Sequence, residues 1–292
     1  MANMDKIVFI GLGKMGLPMA ENLLASGLKV IGYDLSVAAR NKFSGKTCED
    51  LLEAFSWTDA VITMLPSGQE VQKVFLTDNN FKNLKPGTVL LEMSSSLPKD
   101  TLDLKEKMID WVQILDAPVS GGVIRAKSAQ LSIMVGGSKN NFNKVLHILE
   151  ALSATVFYCG PTGTGHAVKA LNNYVSAAGL IAACEALIAA KKIGIDETSF
   201  VEVLNSSTGK NNSTEKKLNQ FILNGSFNSG FALSLMAKDV DIARVEADQK
   251  GLNFKLLSEV SNYLKDALEN LPDHADHTHI YEFIQANGLY KN

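Results

Sequence analysis

The feature that most constrains this chain is Gly11-Leu12-Gly13-Lys14-Met15-Gly16, which follows the apolar run Lys6-Ile7-Val8-Phe9-Ile10 without a break. Gly11 permits a tight turn after a strand, Gly13 lets the backbone approach a pyrophosphate, and Gly16 lets the following helix pack closely on that strand. Met15 to Ala25 supplies a helix whose N-terminus would face the phosphates. Asp34 closes the next apolar run, at about the 20-residue distance expected of the acidic residue in a dinucleotide-binding βαβ unit.

Asp34 carries a second inference. A carboxylate ending the second strand accepts from both ribose hydroxyls and repels a 2′-phosphate, so NAD is expected as cofactor, with NADP possible but disfavoured. No arginine follows Asp34 directly, and Arg40, further along a helix-like stretch, reads equally well as a solvated surface charge.

A length of 292 residues exceeds the usual single-core domain, so one domain boundary is expected. The net charge of −3 comes without a long basic run, which argues against nucleic acid or an anionic membrane as partner. Cys48, Cys159 and Cys184 are odd in number and lack metal-ligand spacing, which fits a reducing, cytoplasm-like compartment. Met1 to Asp5 shows no basic segment leading into an apolar run and cleavage site, so no targeting segment is expected.

Strand-like runs recur at Lys29 to Tyr33, Ala60 to Leu65, Thr88 to Met93, Val112 to Asp116, Leu131 to Val135 and Thr155 to Tyr158, with helix-like stretches between most of them. This alternation is that of a doubly wound sheet, and it stops near Gly160. From about His166 to Ile193 the chain reads as one long alanine-rich helix, interrupted only by Gly179. Its apolar part, Val175 to Ala190, contains Glu185 and falls short of the ~20 residues of a membrane span. The stretch from Asp196 onward shows helical patterning alone, with turns at Asn205 to Asn212, Asn224 to Gly230 and Leu271 to Asp276. The expected architecture is an α/β Rossmann-type domain over residues 1–162 and an all-α domain over 163–292 that begins with the long interdomain helix.

Three segments carry candidate chemistry. Asp116-Ala117-Pro118-Val119-Ser120-Gly121-Gly122 follows a strand, at the end where open α/β sheets bind ligands. The Ser120 hydroxyl and the Gly121 and Gly122 amides suit a carboxylate, although an ordinary glycine turn reads the same way. Lys169 and Asn173, four apart on the long helix, share a face. A lysine buried in a cleft loses solvation, which lowers its pKa and fits it for proton transfer, whereas a lone lysine more often snorkels to solvent. Lys238, within Met236-Ala237-Lys238-Asp239, could equally form an exposed salt bridge.

In order and spacing, the glycine fingerprint, Asp116 to Gly122, Gly163 to Asn173 and Gly230 to Asp239 resemble the β-hydroxyacid dehydrogenase family over nearly the whole chain. The resemblance implies that Lys169 is the catalytic lysine, that Ser120, Gly121, Gly122 and Asn173 bind substrate, and that Lys238 lies beside both nicotinamide and substrate. Leu65, Pro66 and Ser95 would contact the cofactor. Two departures keep polar groups in place: Glu92 stands where aspartate is common, and Ser95 where threonine is common. The expected reaction interconverts a 3-hydroxy carboxylic acid and its β-aldehyde acid, first 3-hydroxyisobutyrate and methylmalonate semialdehyde, alternatively tartronate semialdehyde or another short aldehyde acid. A catalytically silent dinucleotide binder is the reading from a different class, and Lys169 argues against it. No metal is expected: Asp273 to His279 is too irregular to place ligands on one helix face and reads as a solvated turn and helix cap. The alanine-rich helix suggests a homo-oligomer, dimer or tetramer.

Overall fold

Alternate residues of the first strand, β1 (Lys6–Ile10), enter two different apolar clusters. Ile7 and Phe9 join Met19, Leu23 and Leu91 on one side, while Val8 and Ile10 join Phe55, Phe75 and Leu104 on the other. A strand buried on both faces reads as a continuous apolar run, which is why β1, β4 (Ala60–Thr63) and β5 (Val89–Glu92) lack polar alternation. The computed structural model describes residues 4–108 and 111–288, so Met1 to Asn3 of the segment considered for targeting lie outside the described residues.

The chain divides into two units, Met1–Lys169 and Ala170–Asn292. In the first, β2 (Lys29–Tyr33), β3 (Lys46–Thr47), β6 (Gln113–Asp116), β7 (Val119–Ser120), β8 (Leu131–Gly136) and β9 (Ser153–Gly160) complete a sheet ordered β3-β2-β1-β4-β5-β6-β8-β7, with β9 on β8. Pairing is parallel from β3 to β6; β8 runs antiparallel to β6 and β7 and parallel to β9. Helices α1 (Gly16–Ala25), α2 (Val37–Arg40), α3 (Leu51–Trp57), α4 (Gly68–Leu76), α5 (Pro98–Lys107), α6 (Gly122–Lys127) and α7 (Lys139–Glu150) connect the strands. The two-residue strands β3 and β7 escape sequence reading because two residues cannot display a period. The expected strand through Leu65 ends at Thr63, and the Leu65 N–H is taken by Ser94 Oγ instead of a neighbouring strand.

Register decides where ligands can bind. Tyr33, Ile10, Thr63, Glu92 and Asp116 are cross-strand neighbours, each the last residue of its strand. Everything that follows them therefore leaves the sheet from one edge. The order also reverses between β1 and its neighbours β2 and β4, which makes this edge the switch point of the sheet.

The second unit is helical. α8 (Thr164–Ile193) starts in the first unit and continues into the second, followed by α9 (Glu197–Ser206), a π-helix (Ser213–Ile222), α10 (Leu233–Gln249), α11 (Lys255–Asn270) and α12 (Ile280–Asn287). Among the described residues α8 alone is long and apolar enough to cross a membrane, and 44% of its most apolar window is buried. Of the Asp273 to His279 stretch, expected as a solvated turn and helix cap, Asp273 and His274 are exposed in a turn and the Asp276 side chain caps the helical turn His277–His279, whereas His277 and Thr278 are buried. Asp276 accepts from the backbone N–H groups of Gly230, Phe231 and Thr278 and from the hydroxyls of Ser229 and Thr278, tying the chain before α10 to the chain before α12.

Candidate active site

The glycine fingerprint occupies the turn from β1 to α1, and each glycine answers a different demand. Gly11 sits at φ +99°, where a side chain would also meet the Met64 carbonyl, and a Cβ on Gly16 would run into the Gly11 carbonyl oxygen. At Gly13 a Cβ would meet nothing within 4 Å, so this backbone faces open space. Leu12 is buried, Lys14 exposed and Met15 half-buried. α1 has no side-chain cap and no acidic residue in its first turn, which leaves its dipole and first N–H groups to an anion. At the end of β2, Asp34 accepts from the Leu12 N–H through Oδ2 and the Ser36 N–H through Oδ1, both at 2.8 Å. The carboxylate is thus fixed beside the glycine turn. Arg40 is not the solvated charge considered from sequence: its side chain is 12% exposed and donates to the Asp34 carbonyl at 2.6 Å. Leu65 donates its N–H to Ser94 Oγ at 3.0 Å, Pro66 is exposed, and Ser95 is half-buried, all just past the edge row. A cleared glycine turn, an uncapped helix start and an anchored acid together fit a dinucleotide.

Two carboxylates at the ends of β5 and β6 hold the start of α8. Asp116 Oδ1 accepts from the Gly163 N–H at 2.7 Å and Oδ2 from the His166 N–H at 2.9 Å, capping the helix across the chain. A Cβ on Gly165 would lie 2.8 Å from the Asp116 carbonyl oxygen, so only glycine allows the helix this close. Glu92, fully buried, hydrogen-bonds His166 Nε2, the Ser94 N–H and the hydroxyls of Ser96 and Thr101. Burial alone would raise the Glu92 carboxyl, but the His166 imidazolium and the converging donors outweigh it and hold the group below the usual range. Burial likewise works against a charged His166, and Glu92, with Asp116 and Asp100 beyond it, raises the imidazole above its ordinary value. This pair escapes sequence reading because its members are 74 residues apart; Glu92 stands out only as a departure from the family pattern.

Ser120 lies on β7, opposite Ser132 of β8, and is half-buried. Gly121 and Gly122 follow at φ +135° and +67°, and a Cβ on Gly122 would meet nothing within 4 Å. The turn therefore requires glycine and leaves its second backbone unit unobstructed. Lys169 is 8% exposed on α8, and Asn173, one turn on, is 6% exposed. Asn173 Nδ2 donates to Asp239 Oδ2 at 2.6 Å, which joins α8 to α10 next to the half-buried Lys238. Asp239 is the partner that sequence alone could not assign to Asn173.

Residues 6–160 match the model of the NAD binding domain of 6-phosphogluconate dehydrogenase, and residues 163–284 that of the NAD-binding of NADP-dependent 3-hydroxyisobutyrate dehydrogenase. The chain is 37% identical to 2-(hydroxymethyl)glutarate dehydrogenase of Eubacterium barkeri, covering 84% of this chain and 83% of that one. It is 32% identical to a probable mitochondrial 3-hydroxyisobutyrate dehydrogenase of Arabidopsis thaliana, covering 91% and 83%. Among solved structures, Mycobacterium tuberculosis 3-hydroxyisobutyrate dehydrogenase with L-serine is similar at a TM-score of 0.88 and 31% identity, covering 96% and 98% of the two chains.

Proposed function

Because this chain belongs to the β-hydroxyacid dehydrogenase family, with its NAD(P)-binding domain followed by its helical domain, we propose that it oxidises the primary alcohol of a 3-hydroxy carboxylic acid to the β-aldehyde acid, reversibly and with NAD. The observation that carries this reading is Lys169, buried on α8 one turn before an asparagine anchored at 2.6 Å to Asp239.

In this reading the Ser120 hydroxyl and the Gly121 and Gly122 amides hold the substrate carboxylate. Lys169, in its neutral form, takes the proton of the β-hydroxyl as the carbinol carbon is oxidised, and Asn173 keeps the hydroxyl and the lysine in line. Lys238 adds positive charge beside the reacting groups. The dinucleotide, held by Gly11 to Gly16, Asp34, Leu65, Pro66 and Ser95, supplies the hydride acceptor. Asp34 supports NAD over NADP. The relatives' named substrates share one skeleton, HOCH2–CHX–COO−, with X a methyl in 3-hydroxyisobutyrate, an ammonium in serine and a carboxyethyl in 2-(hydroxymethyl)glutarate. Reduction of tartronate semialdehyde gives the same skeleton with X a hydroxyl. Exposed Val168, Leu171 and Val175 on one stripe of α8 support a homo-oligomer.

An assay of NADH formation across these acids tests the reading. Turnover of at least one, with the matching aldehyde acid as product, is expected. Failure of all four in both directions, with NAD still bound, would leave only a dinucleotide binder.

A further inference from the structure

Ser176 lies three residues beyond Asn173 on α8, so Lys169, Asn173 and Ser176 fall within about 60° of one another around the helix axis. Lys217, from the π-helix, reaches this stripe and donates from Nζ to Ser176 Oγ at 3.3 Å. Burial pushes its ammonium down to about 8, against a weaker opposite pull from Cys184 and Asp276. Neither neighbour compensates the charge directly. Burial pushes the Cys184 thiol up to about 12, so it is neutral at physiological pH. Both Asp276 oxygens are already engaged by Ser229, Gly230, Phe231 and Thr278. Among the described residues no carboxylate forms an ion pair with Lys217.

A half-buried cation held against a single hydroxyl gives the fold little in return. Its place on the Asn173 stripe gives it a use, because the group X of the skeleton HOCH2–CHX–COO− is the part of the substrate that varies. A rise of ~1.5 Å per residue puts Ser176 about 10 Å along the axis from Lys169, a separation that a short diacid and two flexible lysine side chains close. We propose that Lys217 and Ser176 form a subsite for a second substrate carboxylate, so that this chain acts on a 3-hydroxy acid whose X ends in a carboxylate. The same cation disfavours an ammonium at X, which argues against serine. The proposal rests on the reading of Lys169 and Asn173 as the reaction centre.

The test compares kcat/KM with NAD for 2-(hydroxymethyl)glutarate, 3-hydroxyisobutyrate and L-serine in wild type, Lys217→Met and Lys216→Met, the last an exposed neighbour. Wild type should favour the diacid. Lys217→Met should lower the ratio of diacid to monoacid efficiency at least tenfold, with an unfolding temperature no lower than wild type, while Lys216→Met keeps the wild-type ratio. An unchanged ratio in Lys217→Met, or a wild-type preference for 3-hydroxyisobutyrate or serine, overturns the subsite. Calorimetry on the NAD-loaded protein separates the subsite from the reaction. Glutarate should bind more tightly than isobutyrate, and Lys217→Met should abolish the difference even if no acid is turned over. Equal binding of the two acids by wild type would also overturn the proposal.

Discussion

Asp34 is anchored by two backbone N–H groups at 2.8 Å and so presents a fixed carboxylate beside the Gly11 turn. A hydrogen bond to a charged acceptor contributes about 1.5–3 kcal/mol, and its loss corresponds to roughly tenfold or more in binding. Asp34→Ala should therefore weaken NAD and relieve the repulsion of a 2′-phosphate, raising the NADP-to-NAD efficiency ratio at least tenfold. Steady-state kinetics with both cofactors checks this, and a ratio unmoved by the substitution would remove Asp34 from the cofactor site. If Ser120 and the glycine amides hold the substrate carboxylate as proposed, the side chain supplies one donor among several, so Ser120→Ala should raise the substrate KM by the equivalent of about 1–3 kcal/mol. NAD affinity, titrated without substrate, should not move. These positions are legible in sequence because local rules place them: a turn that needs positive φ, and an acid at a strand end.

At the scale of elements, α8 is set by contacts no local rule reveals. Asp116 and Glu92 end neighbouring strands, and both grip the first turn of the helix that carries Lys169. Glu92 is held below its ordinary value of ~4.3, so its contribution to stability is present above that pH and is lost as pH falls through the lowered value. His166 is raised above ~6.5, so its contribution is complete below that pH and is lost as pH rises through the raised value. The pair should thus stabilise most between about pH 4.3 and 6.5. His166→Gln keeps a donor but not the charge, and its unfolding temperature should fall furthest below wild type in that window, converging at alkaline pH. A gap independent of pH would contradict the ion pair. Glu92→Gln leaves His166 buried beside a neutral amide, a break that costs about 3–5 kcal/mol. The outer stripe of α8 makes a different prediction, since Val175 is 68% exposed. Val175→Asp should dissociate a homo-oligomer seen by light scattering, and a wild-type monomer would refute the association.

The whole molecule joins a legible half to a less legible one. Alternation of short strands with helices reveals the parallel sheet, and the glycine fingerprint places its ligand edge. The second unit offers helical periods but no rule for which helix meets which, so the Asn173–Asp239 contact, the burial of His277 and the approach of Lys217 to Ser176 emerge only in three dimensions. Which group moves the proton in the proposed reaction turns on Lys169. The most direct measurement takes one preparation of Lys169→Ala and records both its NAD dissociation constant and its turnover on the best acid found. Wild-type NAD affinity is expected with turnover reduced by at least ~10²–10⁴-fold, and no rescue by arginine, whose guanidinium stays protonated. Near-native turnover in Lys169→Ala would contradict this expectation and move the proton to another group, with Lys238 the next candidate.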